Sequence, residues 1–356
     1  MIEKRVEDLR MRMEKIGLDG FLIMEPNNRR YISGFTGTAG VLLITKKQNI
    51  LFTDFRYIDQ GAKEAPNFEI IKYEYPYLTT INEVLKRLPV KQIGFESEFV
   101  TYNQFLELSK VLDGFRLLPQ KGVIEELRMV KDPEEINHIK EAARIADNGF
   151  KYILNIIKPG ITEREVARDL EYYMASQGAT GPSFATIVAS GKRSSLPHGV
   201  ASDKIIEKGD FVTLDFGCVY KGYCSDMTRT IVVGNPTEKQ KEIYNIVLQA
   251  QTLGLASVKA GLGAKEIDKV SRDYIESKGY GNYFGHGLGH GLGLNVHENP
   301  SLSPKDKTKL LKNMVVTIEP GIYIPDWGGV RIEDLVVVLE DGYDNLTNSA
   351  KELIIL

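Results

Sequence analysis

Four carboxylates and one imidazole in the C-terminal half of the chain have the types and spacing of a metal centre. They are Asp215 and Asp226 in LDFGCVYKGYCSDMTRT, His290 in GHGLGHGLGLNVHE, Glu319 in TIEPG and Glu333 in GVRIED. That many acids exceed the needs of one small cation and suit two, held about 3.5–4 Å apart by bridging carboxylate oxygens. Such a pair generates a hydroxide near neutral pH and clamps a tetrahedral intermediate, which is hydrolytic chemistry.

The elements that must carry these groups can be read locally. FVTLDFG and CSDMTRTIVV form a hairpin if Lys221-Gly222 is a two-residue turn, so that Tyr220 opposes Tyr223 and Gly217 opposes Asp226. Opposed residues share a face with alternate residues of their own strands, which makes Asp215 and Asp226 diagonal neighbours about 7–8 Å apart at Cα. Unpaired, they would repel inside an apolar hairpin; a solvated surface hairpin with scattered acids is the alternative. In GHGLGHGLGLNVHE, His286 and His290 have the spacing of a helical zinc motif. The intervening glycines, each costing a helix about 1 kcal/mol, point instead to a loop entering a strand, with His297 further along it. His198, in SSLPHG, occupies another glycine-bearing loop, whereas His138 lies on a long helix and reads as structural. Glu319 ends the strand MVVTIE just before Pro320-Gly321, where a side chain can face a cleft. Alternation in VRIEDLVVV sets Arg331 and Glu333 on one face and Val330 and Ile332 on the other. Arg331 therefore suits either a support for metal ligands or a clamp for a substrate carboxylate, a structural ion pair being the alternative for either glutamate motif taken alone.

The chain has 356 residues, 42% of them apolar, enough for two domains or one large one with ordinary cores. A net charge of -3, with acids and bases interspersed, argues against a nucleic-acid partner and favours small or neutral substrates. No apolar run approaches the ~20 residues of a membrane span. The first residues, MIEKRVEDLRMRMEK, read as an amphipathic helix rather than a targeting signal. Cys218 and Cys224 are the only cysteines and read as small buried residues in a reducing cytoplasm, not as a disulfide.

Up to about residue 120 the pattern predicts an α/β domain with a mixed sheet. A helix over about 2–16 leads to the strand GFLIM and the glycine-rich turn SGFTGTAG. A hairpin of GVLLIT and NILFTD follows, and helix-strand alternation continues through FEIIKY, QIGFES and FRLLP. A junction falls between Pro119 and Lys131. Asp132-Pro133-Glu134-Glu135 then starts a long helix, predicted to reach about Ile157, with an N-cap, proline at its first position and an acid at its third. Beyond it, KPGITEREVARDLEYYMASQGA and KAGLGAKEIDKVSRDYIESKGY align without a gap. Two copies suggest a duplicated half-domain about a pseudo-twofold axis, with ligands from both halves meeting at the interface; a chance likeness of amphipathic helices is the alternative.

The ordered set Asp, Asp, His, Glu, Glu, together with SSLPHG, GHGLGLNVHE, TIEPGIY and GGVRIED, resembles the pita-bread metallopeptidases. The preceding domain, with RRYISGFTGTAG and LFTDFRYIDQ, is similar to that of the proline-specific branch, aminopeptidase P and prolidase. The resemblance spans essentially the whole chain. It implies an α/β N-terminal domain over 1–122 and an α+β pita-bread (creatinase/aminopeptidase-like) catalytic domain over 123–356. It also implies two divalent ions (manganese, cobalt or zinc) and cleavage between an N-terminal residue and proline in short proline-containing peptides. By the same resemblance, Asp215 would chelate one ion, Asp226 and Glu333 bridge both, and His290 and Glu319 hold the second. Four carboxylates would balance two dications, leaving a bridging hydroxide as nucleophile. Glu319 would also shuttle the proton to the leaving nitrogen, His198 and His297 bind the scissile carbonyl or its oxyanion, and His286 and Arg331 position substrate or ligands. Proline's tertiary amide lacks an N–H and its ring fixes φ, so a pocket shaped to the ring accepts what general peptidases reject. Relatives are commonly homodimers, and a cytoplasmic setting is expected.

Three other functions are compatible with parts of this pattern. A methionine aminopeptidase shares the ligand set, but the N-terminal domain weighs against it. Metal-free creatinase-like hydrolysis and a non-catalytic binding protein both sit poorly with five intact ligand positions. Trp327, the single tryptophan, is not assigned a role by the resemblance and reads as capping its loop, with lining of the substrate mouth as the alternative.

Overall fold

Alternating apolar runs in the first third of the chain pair into a six-stranded mixed sheet. In the computed structural model, which describes residues 1–356, the chain divides into two units, Met1–Arg128 and Met129–Leu356. The sheet of the first unit has the order Glu69–Lys72, Asn49–Thr53, Val41–Thr45, Gly20–Ile23, Gln92–Glu96, Arg116–Gln120. Val41–Thr45 runs antiparallel to both neighbours and the remaining pairs are parallel, so the sheet is mixed as expected. The first helix, Ile2–Lys15, buries Val6, Leu9 and Met13 at helical spacing.

One element of this unit is not evident in the hydrophobic pattern. The helix Pro26–Ser33 lies between the strand Gly20–Ile23 and the glycine-rich turn. Its punctuation is nevertheless written in the residues. Pro26 stands at the first position, the Glu25 carboxylate accepts from the Asn28 N–H, and Gly34 ends the helix at φ 84°. Eight residues are too few for a clear period, and glutamate is an uncommon N-cap.

The duplication is plain in the second unit. Long helices, Pro133–Ile153 and Glu238–Ser257, each precede a helix of 14 residues, Glu163–Ser176 and Ala264–Ser277. The shorter pair is offset by 101 residues at both ends (264 − 163 and 277 − 176), the offset separating Lys158 from Lys259. At the head of the first long helix, Asp132 accepts from the Glu134 and Glu135 N–H groups and Glu135 accepts from that of Asp132. This helix stops at Ile153, short of Ile157, because the Asn155 amide donates to the Lys151 carbonyl at 2.9 Å and replaces the next helical bond.

In the first half, these helices pack on the antiparallel strands Ile187–Ser190, Phe211–Phe216 and Met227–Val232, burying Ala142, Phe150, Leu170, Leu214 and Phe216. The second half has five strands in the order Glu298–Leu302, Gly289–Gly291, Val315–Ile318, Asp334–Leu339, Gly342–Asn345, over a core that includes Tyr244, Ile267, Leu288 and Val336. Each leucine, isoleucine, valine or phenylalanine among them, fully buried, contributes roughly 1.5–3 kcal/mol. Polar bonds join the halves. The Glu333 N–H donates to the Thr228 carbonyl at 3.1 Å, and Thr230 Oγ1 donates to the Arg331 carbonyl at 3.0 Å. Trp327 packs edge-on to Phe211 with ring centroids 6.0 Å apart, under the Lys239 ammonium. No helix is long and apolar enough to cross a membrane.

Candidate metal centre

The register of one hairpin decides where the first two acids go. Tyr220 pairs with Tyr223 around Lys221 (φ 45°) and Gly222 (φ 80°), the two left-handed residues that a tight turn requires. The same register continues to Met227 opposite Phe216 and Thr228 opposite Asp215. At Gly217 the partner strand comes so close that a Cβ would lie 1.8 Å from the Ser225 carbonyl oxygen. Asp215 and Asp226 are both buried and line one cavity.

The glycines around His290 serve strand packing. A Cβ on Gly289 would stand 2.0 Å from the Thr317 oxygen, and one on Gly291 would stand 2.3 Å from that of Asn299. Bare backbone thus slots His290 between the strands Val315–Ile318 and Glu298–Leu302. The expected loop entering a strand is present, as Gly289–Gly291.

All nine residues singled out in the sequence line a single cavity of about 810 Å³: His198, Asp215, Asp226, His286, His290, His297, Glu319, Arg331 and Glu333. Ligand atoms of Asp226, His290 and Glu333 lie within 4.8 Å of one another. His290 Nδ1 bonds the Gly291 carbonyl at 2.9 Å, which leaves Nε2 facing Glu319 Oε1 at 3.3 Å and Asp226 Oδ2 at 3.6 Å. Asp215 joins the group through Arg331, whose Nη2 donates to its Oδ2 at 2.5 Å. His297 stacks obliquely on His290, with ring centroids 4.4 Å apart. His198 and His297 are exposed, His286 and His290 half-buried, and Asp226 and Glu333 buried.

The electrostatics of the cluster are those of acids crowded beyond what they can hold alone. Burial, then the charges of Glu333, Asp215 and Glu319, push the Asp226 carboxyl well above its usual range. Burial, then Glu319 and Asp215, do the same to Glu333. Glu319 is raised by burial against the opposing pull of His286 and Arg331. Burial also lowers His286, His290 and His297, keeping the imidazoles neutral with a lone pair available. Asp215 Oδ1, Asp226 Oδ1 and Glu333 Oε1 are buried without a protein hydrogen-bond donor. Acceptors left over in this way, beside a neutral imidazole, fit hard or borderline divalent cations.

Three contributors escaped sequence reasoning. Thr228 donates to Glu333 Oε2 at 2.6 Å and accepts from Arg331 Nε at 3.0 Å, linking the two halves at the centre of the cluster. Thr317 donates to Glu319 Oε1 at 3.0 Å and accepts from the His290 N–H at 3.0 Å. The Tyr323 hydroxyl joins Arg331 Nη1 at 2.7 Å to His286 Nε2 at 2.9 Å. Strand alternation offered a signal for the threonines, since Thr228 and Thr317 each stand two residues from an acid, on its face. All three Arg331 nitrogens are engaged, by Thr228, Tyr323 and Asp215.

Known proteins share this architecture. Residues 137–340 match the family described as metallopeptidase family M24, and residues 5–130 match the creatinase/prolidase N-terminal domain. The chain is 44% identical over 357 residues to the Xaa-Pro dipeptidase of Pyrococcus horikoshii, with 99% of each covered. Among solved structures, the Xaa-Pro dipeptidase from Bacillus anthracis matches with a TM-score of 0.99 at 50% identity, covering 100% of both chains. The X-Pro aminopeptidase from Thermotoga maritima matches with a TM-score of 0.91 at 40% identity, covering 97% of this chain and 100% of that one. These alignments run the length of both domains, and the chain accordingly belongs to metallopeptidase family M24, with a creatinase/prolidase N-terminal domain ahead of its pita-bread catalytic domain.

Proposed function

We propose that this protein is a metal-dependent exopeptidase that hydrolyses the bond between an N-terminal residue and a following proline. The observation that carries this reading is the set of three unpartnered carboxylate oxygens, on Asp215, Asp226 and Glu333, gathered with the His290 imidazole in one cavity. Proline as the second residue rests on the likeness to proteins named Xaa-Pro dipeptidase. Asp215 would hold one divalent ion, His290 and Glu319 a second, and Asp226 and Glu333 both. When bound, such ions lower the pKa of a water and polarise the scissile carbonyl.

The chain's own groups supply the remaining steps. Glu319 has a raised carboxyl pKa, suited to accepting a proton from water and passing it to the proline nitrogen as the peptide bond breaks. His297 and His198, at the exposed side of the cavity, are suited to donating to the carbonyl oxygen as negative charge develops there. Arg331 holds Asp215 and Tyr323, and Tyr323 holds His286. Arg331 and His286 are therefore assigned to positioning.

Manganese, cobalt and zinc all suit this mixed oxygen and nitrogen donor set. Two free buried cysteines accord with a reducing, cytoplasmic setting. Homodimerisation rests on the family resemblance. Activity on longer chains is a second reading, favoured by the match to the X-Pro aminopeptidase. One experiment separates the readings. Metal-free protein, with each ion added back, is assayed on Ala-Pro, Ala-Pro-Ala, Met-Ala and Ala-Ala. Cleavage of Ala-Pro alone identifies a dipeptidase, and cleavage of both proline peptides an aminopeptidase. Cleavage of Ala-Pro-Ala without Ala-Pro also identifies an aminopeptidase, whereas cleavage of neither proline peptide, with or without Met-Ala, overturns the proposal.

A further inference from the structure

Two acids outside the cavity, one in each half of the duplicated unit, fasten the loops that bring histidines to it. Glu163, at the first position of the helix Glu163–Ser176, is fully buried. Its carboxylate accepts from the Ser190 N–H and Oγ at 2.7 and 2.8 Å, from the Arg193 guanidinium, and from the Ser202 N–H and Oγ at 3.1 and 2.7 Å. Ser190 and Ser202 are the two ends of a loop. Between them lie Pro197, His198 and Val200, which line the cavity. Backbone bonds from Glu163 N–H to the Lys204 carbonyl and from Arg164 N–H to the Ser202 carbonyl fix the helix start to the same segment.

The other half solves the same problem one helical turn further along. Ala264 occupies the position equivalent to Glu163 (163 + 101), and Asp268, four residues later on the same helix face, is the buried acid. Asp268 Oδ1 accepts from the Leu288 N–H at 3.0 Å, and both its oxygens accept from Arg272 at 2.8 Å. Arg272 in turn donates to the Phe284 and His286 carbonyls at 3.1 and 2.7 Å. The acid and its arginine thus close the 284–288 loop, whose His286 reaches Tyr323 inside the cavity.

We propose that Glu163 and Asp268 are positioning residues for the peptidase reaction: each pins, through a buried carboxylate, the loop that brings a histidine to the cavity, His198 facing the reacting peptide from one half and His286 holding Tyr323 from the other. This rests on the function proposed above, because a histidine has to be aimed only if the cavity does chemistry. Neither acid lines the cavity. Their effect is transmitted through backbone N–H and carbonyl groups of the loops, where a carboxylate satisfies several donors at once and a neutral amide cannot.

The test uses the full-length Glu163→Gln and Asp268→Asn variants with two readouts. In chelated protein, amide hydrogen exchange is expected to quicken over 190–202 in E163Q and over 284–288 in D268N, each variant leaving the other loop at the wild-type rate. With metal restored, E163Q is expected to lower kcat on Ala-Pro about 10-fold, with KM and metal content near wild type. In a His198→Ala background the same change should cost nothing further. A purely structural role predicts equal losses in both backgrounds, and that result, or unchanged exchange in the facing loop, overturns the proposal. Should E163Q not fold, Ser202→Ala removes one donor at the loop's far end and is expected to give the same pattern at smaller amplitude; its absence counts equally against the clamp. The exchange arm needs no activity, so a wild-type protein inert on both Ala-Pro and Ala-Pro-Ala would refute the peptidase reading separately.

Discussion

Removing Asp226 or Glu333 takes away a buried acid that keeps an unpartnered oxygen and belongs to the group of three ligand atoms within 4.8 Å of one another. Alanine at either position is expected to abolish turnover and lower bound metal, measured by elemental analysis beside the Ala-Pro assay. An Asp226→Ala protein with full metal and full rate would show that the acid bridges nothing. His297→Ala, by contrast, is expected to lower kcat while leaving metal content near normal, since its ring packs on His290 from the exposed side. Thr228→Val removes the hydroxyl that donates to Glu333 and receives from Arg331, and a loss of about 10-fold in kcat/KM or metal affinity is expected. His138, lying against the Tyr220 and Tyr223 rings on the long helix, should tolerate alanine with little change in activity. The charged members of the site could be read from residue type and spacing, because carboxylates and imidazoles near glycine turns are uncommon in a core. The hydroxyls could not. Threonine is ordinary in strands, and its role here exists only once two distant strands have met.

At the scale of the element, the hairpin around Lys221-Gly222 was fully legible: a two-residue turn fixes register, and register fixes which side chains share a face. The glycines flanking His290 were legible only in part. They exclude a helix, yet their purpose, letting His290 pass between two strands, depends on the Thr317 and Asn299 carbonyls contributed from elsewhere in the chain. Gly289→Ala is therefore expected to cost about 3 kcal/mol or to open the sheet, because the obstructing atom is backbone and cannot swing away. Urea denaturation with metal assay in the same samples checks this; wild-type stability and metal content would contradict it. The helix Pro26–Ser33 was hidden for the opposite reason, its local caps being present but its length too short to display a period.

At the scale of the whole molecule, the acid cluster makes the metal-free protein sensitive to pH. Asp226 and Glu333 are raised above their ordinary values of 3.8 and 4.5, so between those values and the raised ones the folded chain holds protons that the unfolded chain has released. Stability then falls as pH rises through that window, and below the ordinary values the penalty is absent because both states are protonated. Relative to a D226N/E333Q variant, the Tm of chelated wild-type protein should decline from about pH 4.5 upward, and added divalent metal should remove the decline. An identical pH profile in the variant would contradict the crowding of these acids. The duplication, visible in the sequence as two aligned segments and in the fold as paired helices offset by a constant 101 residues, explains why one cavity draws acids and histidines from both halves. Whether these residues gather two catalytic cations is measured most directly by a titration of chelated protein with manganese, cobalt or zinc, following bound ion and Ala-Pro hydrolysis in the same samples. Hydrolysis absent without metal and complete at two ions per chain is the predicted result; hydrolysis that survives full chelation, or a protein that binds no divalent ion, would contradict it.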